Sequence, residues 1–160
     1  MITTKRIKTI FDFVNEEVVI YKFNILHTWY SSLSNNNFRL LCKRVLSLNS
    51  NIRFAGIITR MGRLIAGGMR HGVASMEDDN DSLKLYVQFA LRSQIGKDYD
   101  SAFGRAIYTF TEREKIKLAS FPLKDNHILR VSIMKEEKNH TQIIQNILGI
   151  IKEAEVDLHS

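Results

Sequence analysis

A single cysteine, Cys42, is all the thiol chemistry that the 160 residues contain. No internal disulfide can form, the chain needs no oxidising compartment, and a cytoplasmic address is the expectation. Long apolar runs are missing too. The best candidate, residues 18–30, is interrupted by Lys22, Asn24 and His27 and falls short of the roughly 20 residues a spanning helix needs. Asp12, Glu16 and Glu17 break up any signal-peptide core near the start, so neither a leader nor a membrane span is expected. Acidic residues are absent between Glu17 and Glu77, where Lys22, Arg39, Lys43, Arg44, Arg53, Arg60, Arg63 and Arg70 all fall. The net charge of +6 is therefore concentrated in the first half. Such a field attracts nucleic acid, an anionic surface or an acidic protein, and charge alone does not choose among them.

Catalytic groupings are equally scarce. His27, His71, His127, His140 and His159 show no metal-ligand spacing, and one cysteine cannot build a zinc knuckle. The acidic stretch 77–82 lacks the glycine and the glutamate of a calcium loop and reads as a helix start. No nucleophile is paired with a base, and no two carboxylates have a defined separation. A catalytic site, a metal and a cofactor are all unexpected.

What is present reads as one α+β domain. Hydrophobic residues make up 44% of the chain, enough for a core. Ile7, Ile10, Phe11, Val14 and Val18 recur at helical spacing, but residues 1–32 read as an N-terminal extension, set off by the serine- and asparagine-rich stretch 31–37. The domain then covers 33–160. Phe38, Leu41, Val45 and Leu48 mark a first helix with Asn37 as its expected N-cap. Two strand-like runs, "IRFAGIIT" and "RLIAGGMR", flank Arg60-Met61-Gly62, a connection short enough for a hairpin. A phosphate loop would need its glycines between a strand and a helix, so the glycine-rich segment 56–72 reads as strand, turn, strand. Gly67 and Gly68 are expected at a bulge or a close backbone approach.

A long helix is expected after the acidic cluster, with Leu83, Val87, Ala90 and Leu91 as its buried stripe and Gly96 as its stop. Tyr86 and Phe89 lie off that stripe, which makes them candidates for a dimer interface. Three strands, "RAIYTFTER", "KIKLASFP" and "HILRVSIM", read as an antiparallel meander. A last helix carries Ile143, Ile144, Ile147, Leu148 and Ile151, with Asn139 or Thr141 as cap. The expected fold is a five-stranded antiparallel sheet with helices on its faces, in the order α-β-β-α-β-β-β-α.

Candidate ligand- or partner-binding residues are Gly67, Gly68, Arg70, His71, Arg92 and Arg113, the arginines because each could bind a carboxylate or phosphate bidentately. Arg39, Lys43 and Arg44 could form a basic helix face, but no aromatics interleave with them, so nucleic-acid binding is not expected.

The order of elements from Asn37 onward resembles the roadblock and dynein-light-chain family, related to longin and profilin-like folds, and "FAGIITRMGRLIAGG" resembles that family's first hairpin. The segments "IRFAGIITRMGRLIAGGMRHGV", "LRSQIGKDYDSAFG" and "REKIKLASFPL" also resemble a family of small uncharacterised archaeal proteins. The roadblock resemblance implies a non-enzymatic protein that dimerises through its middle helix and sheet edge and regulates or scaffolds small Ras-like GTPases. A sensory domain that binds a small anion or metabolite through Arg70, Arg92 or Arg113 is the alternative.

Overall fold

The computed structural model describes residues 35–157; the expected extension 1–32, with its helical spacing, lies outside them. A helix over 35–47, α1, leads into β1 (Ile52–Ile58) and β2 (Leu64–Met69). Next come α2 (Asp79–Gly96), a 3-10 turn (Lys97–Tyr99) and the short α3 (Asp100–Phe103). Strands β3 (Thr109–Glu112), β4 (Ile116–Pro122) and β5 (Ile128–Met134) precede the closing helix α4 (His140–Asp157). All pairings are antiparallel, and the sheet order is β2-β1-β5-β4-β3. The α-β-β-α-β-β-β-α expectation holds, with α3 added.

The sheet is covered on both faces. Ala55, Ile57, Ala119, Phe121, Leu129 and Val131 point to one side, where α1 contributes Leu41, Cys42 and Val45 and α4 contributes Ile143, Ile144, Ile147 and Ile151. Burial there pushes the Cys42 thiol up to about 12, which leaves it un-ionised and inert at neutral pH. On the other side Ile58, Leu118 and Ile128 meet Phe89 of α2, flanked by Leu85 and Tyr86. Central strand β5 is sandwiched between these layers, which is why it is apolar except at Arg130 and Ser132.

One local expectation is corrected, and two hold in a particular form. Asn37 is not a cap, because the backbone is already helical at residue 35. Gly96 is the last residue of α2, as expected, but it keeps right-handed helical geometry, with φ of −58°, so the chain runs on through the 3-10 turn and α3 to Gly104, whose φ of 79° provides the left-handed stop. The bulge in β2 is displaced from Gly67 and Gly68, since Ile57 pairs with Ala66 and Ile58 with Leu64, which leaves Ile65 as the extra residue. Gly67 is instead the close approach, because a Cβ there would lie 2.2 Å from the Ala55 carbonyl oxygen.

The β1–β2 connection is the expected tight turn. Thr59 accepts from Gly62 N through its carbonyl and from Met61 N and Arg63 N through Oγ1. Gly62, with φ of +77°, lies against the backbone of Val87, and Gln94 Nε2 donates to the Arg60 carbonyl. The hairpin tip therefore braces α2.

Glu137 closes the far end of the sheet. Its buried carboxylate accepts from Asn51 Nδ2 (2.8 Å), Asn49 Nδ2 (3.1 Å) and Asn139 N (2.6 Å). The Asn51 amide first, and then the Asn139 N–H, hold its pKa below the usual glutamate value. The folded state then binds its proton more weakly than the unfolded chain, so this contribution is complete above the unfolded value of about 4.3. It is lost as pH falls through the lower, folded value. Glu137→Gln should be less stable than wild type at neutral pH, and the gap in urea midpoints should narrow on acidification; a gap independent of pH would contradict this.

Candidate functional site

Two features of the α2 side of the sheet stand out, one apolar and one charged. Helix α2 starts on Asp78, whose Oδ1 accepts from Asp81 N at 2.8 Å, and the acidic first turn suits the positive end of the helix dipole. From there the helix presents two apolar sides. Phe89 is 9% exposed, Ala90 is buried, and half-buried Leu85 and Tyr86 complete the side that meets the sheet. Tyr86 stacks on Phe54 of β1 with ring centroids 6.1 Å apart.

The expected orientation of α2 is thereby reversed. Of the expected buried stripe only Ala90 is inside; Leu83, Val87 and Leu91 are exposed, whereas Tyr86 and Phe89, expected at a dimer interface, are committed to the sheet. The physical reason is bulk, since the aromatic pair fills the space over Phe54 and Arg130 that smaller aliphatic side chains would leave open. Exposed apolar residues then recur every fourth position as Leu83, Val87, Leu91, Ile95 (62% exposed), Tyr99 and Phe103 (83% exposed). Ile107 and Tyr108 are exposed as well and lead directly into edge strand β3. A four-residue spacing from Leu83 to Ile95 was the signal that could have revealed the stripe on α2.

The other candidate residues are scattered. Arg70, expected as an anion ligand, is used up internally: its Nε donates to the Ile52 carbonyl at 2.7 Å, and its Nη2 donates to the carbonyls of Asn49, at 2.7 Å, and Leu46. It ties the end of α1 to the start of β1. Losing these charge-assisted bonds should make Arg70→Ala about 3 kcal/mol less stable, with Arg70→Lys recovering only part because an ammonium lacks the planar fork. Urea midpoints for the two variants check this, and equal midpoints would contradict it. His71 and Arg92 are exposed and are not brought together with Arg70. Gly68 faces open space.

Arg113, in the β3–β4 turn, does line a site. A cleft of about 170 Å³ opens between α2 and the sheet, walled by Phe54, Met69, Leu85 and Leu118 and carrying Arg53, Arg113, Arg130 and Glu77. Arg130 is 2% exposed. Its guanidinium carbon lies 3.8 Å from the centre of the Phe89 ring and 5.7 Å from that of Tyr86. Burial lowers its pKa to about 10, partly offset by Tyr86 and Glu77, and it stays charged at neutral pH. Burial likewise raises the pKa of the Tyr86 hydroxyl. Sequence reasoning missed Arg130, although a lone arginine inside the apolar run "ILRVSIM" was visible. Among the described residues no group of three or more histidine, cysteine, aspartate or glutamate side chains could hold a metal, and no helix is long and apolar enough to cross a membrane.

The sequence pattern of this fold is matched over residues 31–154 by the model of a family of unknown function. The chain belongs to that family, DUF6659. No curated protein is detectably similar in sequence. Solved structures nevertheless place this DUF6659 protein in the roadblock fold. A Roadblock/LC7 domain from Streptomyces avermitilis shares 13% identity, with 76% of this chain and 98% of that one aligned at a TM-score of 0.57. MglB from Myxococcus xanthus shares 14%, over 76% and 94% of the two chains, at 0.57. An MglB solved in a tetrameric arrangement shares 14%, over 71% and 87%, at 0.52. At these identities the likeness is one of fold.

Proposed function

We propose that this DUF6659 protein is a non-enzymatic regulatory or scaffolding module that works as a homodimer, with the stripe from Leu83 to Ile95 and edge strand β3 forming the contact between two copies. The observation that carries the reading is the second apolar side of α2, left exposed on a helix that already covers the sheet. Scattered apolar residues are normal on a surface, but a contiguous patch signals an interface. A two-fold axis lets such a patch meet its own copy, and an 18-residue helix supplies about 27 Å of contact length. Strand β3 adds backbone groups that are unpaired among the described residues at the sheet edge. The tetrameric arrangement of one MglB supports assembly as a habit of the fold. The roadblock resemblance adds the partner class, a small Ras-like GTPase, met in the cytoplasm. Light scattering of the protein at micromolar concentrations is the test: a dimer mass is expected, and a monomer throughout that range overturns the reading.

A further inference from the structure

Buried charges in proteins are nearly always paired, because an unpaired ion out of water costs several kcal/mol. Arg130 departs from this rule. Its Nη1 is fully buried and, among the described residues, has no hydrogen-bond partner. Glu77 acts on it electrostatically from the cleft wall without forming an ion pair. Arg53, on the neighbouring strand, is in a similar position: Nη2 donates to the Ala74 carbonyl at 2.8 Å, but its buried Nε has no partner. Two guanidinium groups with unused N–H donors therefore border one cleft, and Arg113 stands at the same cleft.

We infer that the cleft between α2 and the sheet binds a small carboxylic acid with a compact apolar body, its carboxylate on Arg130 and its body against Phe54, Met69, Leu85 and Leu118. The geometry selects the class. A guanidinium fork matches a carboxylate bidentately, which would supply the missing acceptor. Glu77 offsets part of the charge of the three arginines, and only Arg130 is wholly buried, which places the carboxylate there. The apolar walls exclude a fully hydrated anion and reward an aliphatic or aromatic body. A volume of about 170 Å³ limits the ligand to well below drug size. This site does not depend on the dimer reading.

Benzoate is the probe, added to the full chain against sodium chloride of equal ionic strength, with inorganic phosphate as a second anion. Benzoate at tenfold its Kd should raise the thermal unfolding midpoint by about 4 °C over chloride. Phosphate should do no more than chloride. Arg130→Met should unfold at the same temperature as wild type or higher without ligand, because a buried unpaired charge has been removed, and should bind benzoate at least about tenfold more weakly. Glu77→Gln, which leaves the arginine in place, should bind it several-fold more tightly. The proposal is overturned if benzoate and chloride act alike on wild type, if phosphate matches benzoate, or if Arg130→Met keeps the full response. It is equally overturned if Arg130→Met fails to fold and Glu77→Gln binds no more tightly than wild type.

Discussion

Aspartate at both Leu91 and Ile95 should leave a folded monomer in place of the proposed dimer. Both side chains lie on the exposed stripe of α2, and neither contributes to the layer between α2 and the sheet. In the free chain, then, two exposed apolar groups become two exposed charges at little cost to folding. In a two-fold dimer the same change buries four carboxylates against apolar partners without counterions. Hot-spot truncations at interfaces cost about 2–4 kcal/mol, so dimerisation should weaken at least about a hundredfold. Light scattering over a concentration series reads the mass, and far-UV circular dichroism shows whether the fold survives. Phe89→Ser is the instructive contrast. Because Phe89 packs on Ile58, Leu118 and Ile128, its loss should cost about 3 kcal/mol of folding stability by leaving a cavity in the core. A double aspartate variant that stays dimeric, or that unfolds, would refute the placement of the interface.

A methyl group at residue 67 is the other change with a large expected effect. Gly67 has φ of +82°, and the Cβ of an alanine there would lie 2.2 Å from the Ala55 carbonyl oxygen and 2.7 Å from the Cys42 sulfur. The left-handed conformation alone costs a side-chain-bearing residue about 1–2 kcal/mol. Forcing strands β1 and β2 apart, or α1 off the sheet, adds about 1–3 kcal/mol. Gly67→Ala should therefore lose about 3–4 kcal/mol. Gly149→Ala should do the opposite: it stands on the exposed side of α4 with nothing within 4 Å, and alanine favours a helix interior by up to about 1 kcal/mol. Urea denaturation of the two variants tests both signs, and a Gly67→Ala midpoint near that of wild type would contradict the close approach.

Much of the architecture was legible in the sequence because local signals agree with one another. Ile143, Ile144, Ile147 and Ile151 repeat at the period of a helix over one face, and they are the residues that α4 buries. The hairpin could be told from a phosphate loop by element order alone. Helix α2 was misread because its two sides are both apolar. Periodicity finds a stripe but cannot say which of two stripes faces the sheet when Leu83, Val87 and Leu91 compete with Leu85, Tyr86 and Phe89. The continuation through Gly96 was hidden for a related reason, since glycine permits a stop without requiring one.

The candidate site was less legible still. Arg70 and Arg130 are both arginines beside apolar residues, and nothing local separates them. Arg70 finds backbone carbonyls from residues 46, 49 and 52, acceptors that only the fold brings together. Arg130 finds aromatic rings and an open cleft instead. What distinguishes clamp from candidate site is which acceptors remain unclaimed after folding, a property of the whole structure.

The two sides of the sheet also differ in how firmly they are held. One side is locked by two helices whose aliphatic side chains form a continuous cluster from Leu41 to Ile151. On the other side a single helix rests on Ile58, Leu118 and Ile128 through Phe89, with half-buried Leu85 and Tyr86 beside it and the buried guanidinium of Arg130 underneath. Local opening draws first on the more lightly packed elements, so amide hydrogen exchange should be faster in α2 than in α4. Anything that binds the closed form, over the helix or beneath it, removes population from the open one. If the proposed partner and the proposed ligand both bind the closed form, each should order the surface that the other uses, through the one helix common to both.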